Sequence, residues 1–448
     1  MSAALDQLCQ DMLTAARKAG AEAADAVATR GTSVSVDVRG GTLEQAERAE
    51  GTDIGLRVLM GRRQAVVSAS DIKPDTLAAM AERAVAMARE APEDPHAGLA
   101  DPDQLCAEWD LAALEMTDPT PEPEAQALER DALAAEAAAL SVEGVTQVQG
   151  AGAAYGANEF WMAATNGFSG GFGRTRRSTS CVAISGTGTG MQRDYDGDSR
   201  VFQSDLRDAS DIGRSAGERA VAMHGARRPA TGRYPVLFDE RISSSLISHL
   251  LSAINGVNVA RRSSWLLDAV GETVLPDHLS LVEDPRLPRL PGSRPFDGEG
   301  LPTRARRIVD RGVLTGWTLD LASARKLGLV STGNAARGTS APPSPSTWNV
   351  ELTPGTQSRD DLLCDMGTGL LVTSMIGSTI NPNTGDYSRG ASGFWVENGQ
   401  VAYPVNECTI AGNLRDMLRR IVPADDARPW LSHRVPSLLV EGMTLAGT

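Results

Sequence analysis

Aromatic side chains make up only 4% of this 448-residue chain, and its five cysteines (Cys9, Cys106, Cys181, Cys364, Cys408) are dispersed with no close pair. Disulfide frameworks and cysteine zinc knuckles need such pairs, so both are argued against, and reduced thiols in a cytoplasmic protein are expected. No two of the five histidines (His96, His224, His249, His278, His433) stand three to five residues apart, which leaves no helical two-histidine metal site. No apolar run approaches the roughly 20 residues a membrane helix needs. The opening Met1-Ser2-Ala3-Ala4-Leu5-Asp6 has no basic region, and Asp6 and Asp11 interrupt any apolar one, so no secretory signal is read there. Cations are also short: 43 Lys and Arg against 57 Asp and Glu give a net charge of −14. That balance disfavours nucleic acid and anionic membrane surfaces as partners.

Glycine, by contrast, is plentiful at 45 residues, and 41% of the chain is hydrophobic, enough for a sizeable core in two or three domains. Leu5, Leu8, Met12, Leu13 and Ala16 form one stripe of a helix over residues 3–19 that stops at Gly20. Ser33 to Val38 alternates as a strand, and residues 54–60 and 64–70 read as a hairpin around Gly61-Arg62-Arg63. Pro74 opens a second helix, and an Ala-rich third covers about 124–141. Residues 144–203 read as short strands with Gly and Asn turns, Asn166-Gly167 being the clearest hairpin signal. A helix over about 210–223 precedes Arg227-Arg228-Pro229, which reads as a domain boundary. Beyond it come a strand at 235–238, a helix over 242–254, and short strands punctuated by Gly and Pro. The expected fold is α+β. An α+β N-terminal half spans 1–225, divisible into about 1–115 and 116–225, and a β-rich C-terminal half spans 230–448, wrapped round one prominent helix.

Three local patterns invite chemistry. Gly167-Phe168-Ser169-Gly170-Gly171 has the spacing of a nucleophile elbow, but the residues after it look extended rather than helical, so Ser169 is read as a turn residue. Gly186-Thr187-Gly188-Thr189-Gly190 lacks the Lys-Ser/Thr of a phosphate loop and is read as a flexible turn. Asp194, Asp196 and Asp198 alternate as calcium ligands do, yet Ser199 and Asp205 stand where an EF-hand loop wants Gly and Glu, and a solvated acidic turn is expected.

The most individual stretch runs from Asn381-Pro-Asn-Thr-Gly-Asp-Tyr-Ser through Gly393-Phe-Trp-Val-Glu-Asn-Gly to Glu407-Cys-Thr-Ile-Ala-Gly-Asn-Leu. Physically it reads as an antiparallel meander turning at Asn381–Gly385 and Asn398-Gly399, with no nucleophile or base singled out. It resembles the C-terminal signature of the TldD/PmbA peptidase-associated family, and the ending Pro436–Gly447, the N-terminal helix and the Gly55-Leu56-Arg57-Val58 hairpin are similar to that family as well. The resemblance spans nearly the whole chain and is closest to the PmbA branch, also called TldE.

That resemblance implies a fold, an α/β N-terminal domain followed by a β-rich, barrel-like C-terminal domain, and it implies a role. TldD-branch members are zinc metallopeptidases whose ligands come from a helical His-Glu-x-x-x-His motif and a cysteine near the C-terminus, with the glutamate as general base. The corresponding helix here carries Ser248 and Ala253 in the ligand slots and His249 in the glutamate slot, and no cysteine follows Cys408. Ser and Ala cannot replace imidazole or thiolate ligands. The resemblance therefore implies a chain with no catalytic residue and no metal of its own, zinc residing in a TldD-like partner. The expected assembly is a heterodimer acting on unfolded or extended peptides, with a homodimer in isolation. Asn381, Gly385, Asp386, Glu397, Asn398 and Gly399 are read as structural members of the family signature. The alternatives are an autonomous hydrolase and a peptide-binding regulator without a peptidase partner.

Overall fold

The computed structural model describes residues 3–447, without the side chain of Ser378. Met1 and Ser2, part of the stretch read for a secretory signal, lie outside the described residues. The N-terminal apolar stripe forms helix α1 (Ala3–Lys18), burying Leu5, Leu8, Met12 and Leu13. It packs beside helix α2 (Pro74–Glu90), which starts on the expected proline. Both lie on a six-stranded antiparallel sheet built from β1 (Ala23–Arg39), β2 (Thr42–Met60), β3 (Arg63–Ala69), β4 (Val145–Ala164), β5 (Ser169–Ser185) and β6 (Gln192–Arg200). The order is β3-β2-β1-β4-β5-β6.

These strands correct the expectation of short ones. β1 and β5 run 17 residues and β4 runs 20, because interior glycines break the apolar alternation without breaking the backbone ladder. On β1, Ala24, Ala26 and Ala28 pack under α1 and α2, whereas Val34, Val36 and Val38 pack under helices α3 (Ala125–Leu140) and α4 (Ala209–Ala222). All six positions share one parity, so all four helices cover one face of the sheet. The β1–β4 ladder joins the halves on either side of residue 115 into one continuous sheet. Residues Thr42–Gly51 of β2 protrude with every side chain exposed, and β3 pairs only with Ile54–Met60, so among the described residues the outer edge of that protrusion is unpaired.

The C-terminal half contains a closed five-stranded barrel. Strand β7 (Gly232–Phe238) lies parallel to strand Gly369–Ile380 and antiparallel to strand Leu438–Ala446. Strands Asp386–Glu397 and Gln400–Asn413 continue from the former, and pairing of the last with Leu438–Ala446 closes the ring. Helix α5 (Glu240–Ala253) follows β7, with Asp239 as its N-cap, and its Leu246, Ile247 and Leu250 join Phe238, Leu370, Tyr387, Val405 and Ile410 in one core. The prominent helix and the barrel-like wrapping are therefore where they were expected. Short strands between Leu281 and Arg434 form a second, five-stranded sheet beside this core.

The two halves meet on the sheet face opposite the helices. There Phe296 packs against Phe168, Phe172 and Trp109, and a Cβ on Gly55 of β2 would lie 2.1 Å from the Thr339 carbonyl oxygen. Asp25 on β1 binds both Arg57 on β2 and Arg337 from the C-terminal half, all three side chains being at most 5% exposed.

Candidate functional site

Helix α5 brings Ser245 and His249, four residues apart, onto one face. The His249 ring lies edge-to-face with Tyr387 at 5.9 Å between centroids. Burial, reinforced by Arg389, pushes the imidazole below its ordinary range, so it is neutral at neutral pH. His249 Nε2, Ser245 Oγ and Arg389 Nε are all buried without a hydrogen-bond partner among the described residues. Ser248 donates its hydroxyl back to the Ser244 carbonyl at 2.9 Å, the self-satisfying bond expected of a serine in mid-helix. Ala253 is buried in the core. Cys408 donates to the Ala391 carbonyl at 3.2 Å, and burial pushes its thiol up to about 11. Among the described residues no three His, Cys, Asp or Glu side chains gather as a metal site would require.

The signature meander occupies two barrel strands, Asp386–Glu397 and Gln400–Asn413, and the turn that leads into them. Asn381 Oδ1 accepts the amides of Asn383 and Thr384, and Thr384 donates to Asp386 at 2.6 Å. Asn413 clamps the same turn through the Thr384 carbonyl and Asp386, and Gly385 sits at φ +80° against Trp265. These bonds, with Thr384 foremost, hold the Asp386 carboxyl below its ordinary range although it is exposed. Asn398 and Gly399, at φ 51° and 76°, form the tight turn between strands, with Glu397 exposed at its entry.

Ser169 opens strand β5, not an elbow. Its hydroxyl donates to Asp6 at 2.9 Å and accepts the Trp161 indole N–H at 3.0 Å, tying α1 to the sheet. Ser169→Ala should cost about 0.5–1.5 kcal/mol, the net worth of such a bond, and leave peptide cleavage by any complex containing the chain unchanged. Denaturant midpoints and a cleavage assay check both halves of that expectation. The glycine run ends in a single turn at Gly188–Gly190. The alternating aspartates do not converge on a cation position: Asp194 pairs with Arg241, Asp196 with Arg207 and Arg219, and Asp198 with Arg200.

A cavity of about 510 Å³ at the seam between the halves carries titratable groups that sequence reading passed over. Arg57, Glu299, Asp320 and Ser323 form its buried part, and Arg261 and Lys326 are exposed at its margin. Asp297 lies behind Glu299 and accepts the amides of Glu299, Leu301 and Ala335, while burial pushes its carboxyl up to about 6. Glu299 is driven higher by burial and by the neighbouring Asp297 and Asp320 charges. In the sequence these acids stand in Phe296-Asp297-Gly298-Glu299-Gly300, which resembles an ordinary polar turn, so the only available signal was two acids between glycines.

Known proteins carry the same architecture. Residues 24–88 match PmbA/TldA metallopeptidase domain 1, residues 118–223 its central domain, and residues 231–447 its C-terminal domain. Metalloprotease PmbA of Escherichia coli O157:H7 is 36% identical over 429 residues, covering 95% of this chain and 92% of that protein. A Metalloprotease PmbA homolog of Haemophilus influenzae is also 36% identical, over 96% of this chain and 94% of its own length. A Metalloprotease TldD homolog of the same organism is 24% identical over 49% of this chain and 46% of that protein. The crystal structure of a putative modulator of DNA gyrase from Bacteroides thetaiotaomicron superposes with a TM-score of 0.90 at 28% identity, covering 99% of this chain and 98% of that one. With all three domains and near full-length identity at this level, the chain belongs to the PmbA/TldD family.

Proposed function

We propose that this chain is the PmbA/TldE-like, zinc-free subunit of a two-subunit metallopeptidase that trims or degrades unfolded peptides, the zinc being held by a TldD-like partner. One observation carries the reading: Ser248 and Ala253 occupy the slots on α5 where the family resemblance puts zinc ligands, and neither side chain can ligate zinc. Cys408 fits no better, since its protonated thiol is committed to the Ala391 carbonyl. Haemophilus influenzae has both a PmbA homolog and a TldD homolog similar to this chain, as a two-subunit arrangement requires. The unpaired edge of β2 at Thr42–Asp53 offers backbone groups on which an extended peptide of almost any sequence can add as a strand.

Alone, the chain forms a homodimer through the surface it otherwise gives its partner. It works in the cytoplasm, where its five free thiols stay reduced. Among the described residues no helix is long and apolar enough to cross a membrane. The name metalloprotease carried by the relatives favours a second reading, in which this chain cleaves peptides itself.

Co-purification with the same organism's TldD-like protein separates the two. The expected result is a 1:1 pair with about one zinc, cleaving peptide only when both chains are present. About one zinc per isolated chain, lost in His249→Ala, would refute the reading. Chelator-resistant cleavage by the isolated chain would refute it too.

A further inference from the structure

The seam cavity has a charge imbalance. Its one buried cation, Arg57, is committed to Asp25, donating from Nε, and its Nη1 donates to Gln64 at 3.3 Å. The nearby Arg337 is committed to the same aspartate at 2.9 Å. Glu299 and Asp320 have no ion-pair partner among the described residues. Asp320 is occupied in capping helix Leu321–Leu327, accepting from the Ser323 amide at 2.8 Å. Glu299, only 8% exposed, accepts one hydrogen bond, from the Leu321 amide to Oε2 at 2.8 Å. Its Oε1 has no hydrogen-bond partner among the described residues, although the residue lines the cavity. Glu299 Oε1 is thus open to the cavity, where water or a bound donor can reach it.

We infer that this cavity binds the protonated amino end of a short peptide, with Glu299 as the acceptor of its ammonium and Arg261 and Lys326 at the margin receiving its carboxylate. The ligand class follows from what the cavity holds. Its volume lies within the roughly 300–1,000 Å³ range of small-molecule sites. The half-satisfied Glu299 carboxyl can accept from a compact multi-donor cation, which an ammonium supplies. A divalent ion is a poorer occupant, since these acids do not gather as metal ligands do. The exposed cations at the margin complement the opposite end of a zwitterion. The site deepens the peptide-handling reading and rests on it: the unpaired β2 edge takes extended chains, and the seam takes short amino-terminal pieces.

Calorimetric titration of the full chain with trialanine, N-acetyl-trialanine and trialanine amide tests this directly. Trialanine should bind. Acetylating the amine, or substituting Glu299→Gln, should weaken binding about tenfold or more, the scale of a lost charge-assisted hydrogen bond. Trialanine amide should bind wild type more weakly than the free acid, and Arg261→Gln with Lys326→Gln should erase that difference while leaving the chain folded. Binding should also release protons, read from the dependence of heat on buffer, because burial holds Glu299 partly protonated when the cavity is empty and an ammonium favours the carboxylate. Equal binding of the acetylated peptide, or unchanged binding by a Glu299→Gln protein of wild-type melting temperature, would overturn the inference. So would the absence of trialanine binding, even if cleavage by the two-subunit complex stood. Binding without cleavage by any pairing would leave this site intact and remove the peptidase reading.

Discussion

Asp25→Asn is expected to lower the unfolding free energy by about 3–5 kcal/mol, the cost of removing one member of a buried ion network. Among the described residues Asp25 is the only acid that forms an ion pair with Arg57 and Arg337, so its replacement leaves two buried guanidinium groups without an ion-pair partner. Arg337 also donates to the Gly338 carbonyl at 2.7 Å and to that of Ala341, so the loop that carries Gly55's neighbour Thr339 is anchored through the same side chain. The variant should therefore loosen the seam as well as the sheet, and proteolysis within the 91–124 connection should accelerate. Burial alone would push the Asp25 carboxyl up, but the two arginines more than offset this and hold it below the ordinary range. A depressed folded-state value contributes stability that is present above the unfolded value near pH 4 and lost as pH falls through the folded one. The gap between wild type and variant should accordingly be constant from about pH 5 to 8 and shrink below about pH 4. Urea midpoints measured across that range provide the check. A gap under about 1 kcal/mol at pH 7 would mean that the arginines are satisfied without Asp25.

Gly399→Val should be nearly as damaging. The turn needs φ +76° at Gly399, where a β-branched residue is strained by roughly 1–3 kcal/mol. Its Cβ would also stand 2.8 Å from Cys364 Cα, a backbone atom of helix Arg359–Met366 that cannot swing aside. Overpacking of that kind adds a further ~1–3 kcal/mol. Thermal melts should show the C-terminal half destabilised, with association to a TldD-like chain failing only as the fold fails. Unchanged melting with lost complex activity would move this turn from scaffold to substrate surface.

Legibility along the chain followed the range of the interaction that decides each feature. Helix α1 was readable because Leu5, Leu8, Met12 and Leu13 repeat at the helical period within one segment. The Asn398-Gly399 turn was readable because two adjacent residues carry its dihedral requirement. The length of β4 and β5 was not: Gly150, Gly152, Gly156 and Gly171 look like turn punctuation locally, and only the neighbouring strands supply the ladder that keeps them extended. Barrel closure depends likewise on Thr409–Ala411 meeting Thr444–Ala446, a pairing that no periodicity encodes.

The sequence by itself determined the family, the positions of helices α1 to α5, the tight-turn chemistry and the identities of Ser248 and Ala253 on α5, since each resides in residue identity or in spacing within one element. Only the tertiary structure decided that Asp25, Arg57 and Arg337 form one buried network, and that Glu299 faces a cavity walled by both halves. The physical reason is that a carboxylate's role is set by desolvation and by the charges within a few ångströms of it. Chain folding brings those neighbours from as many as 312 positions away.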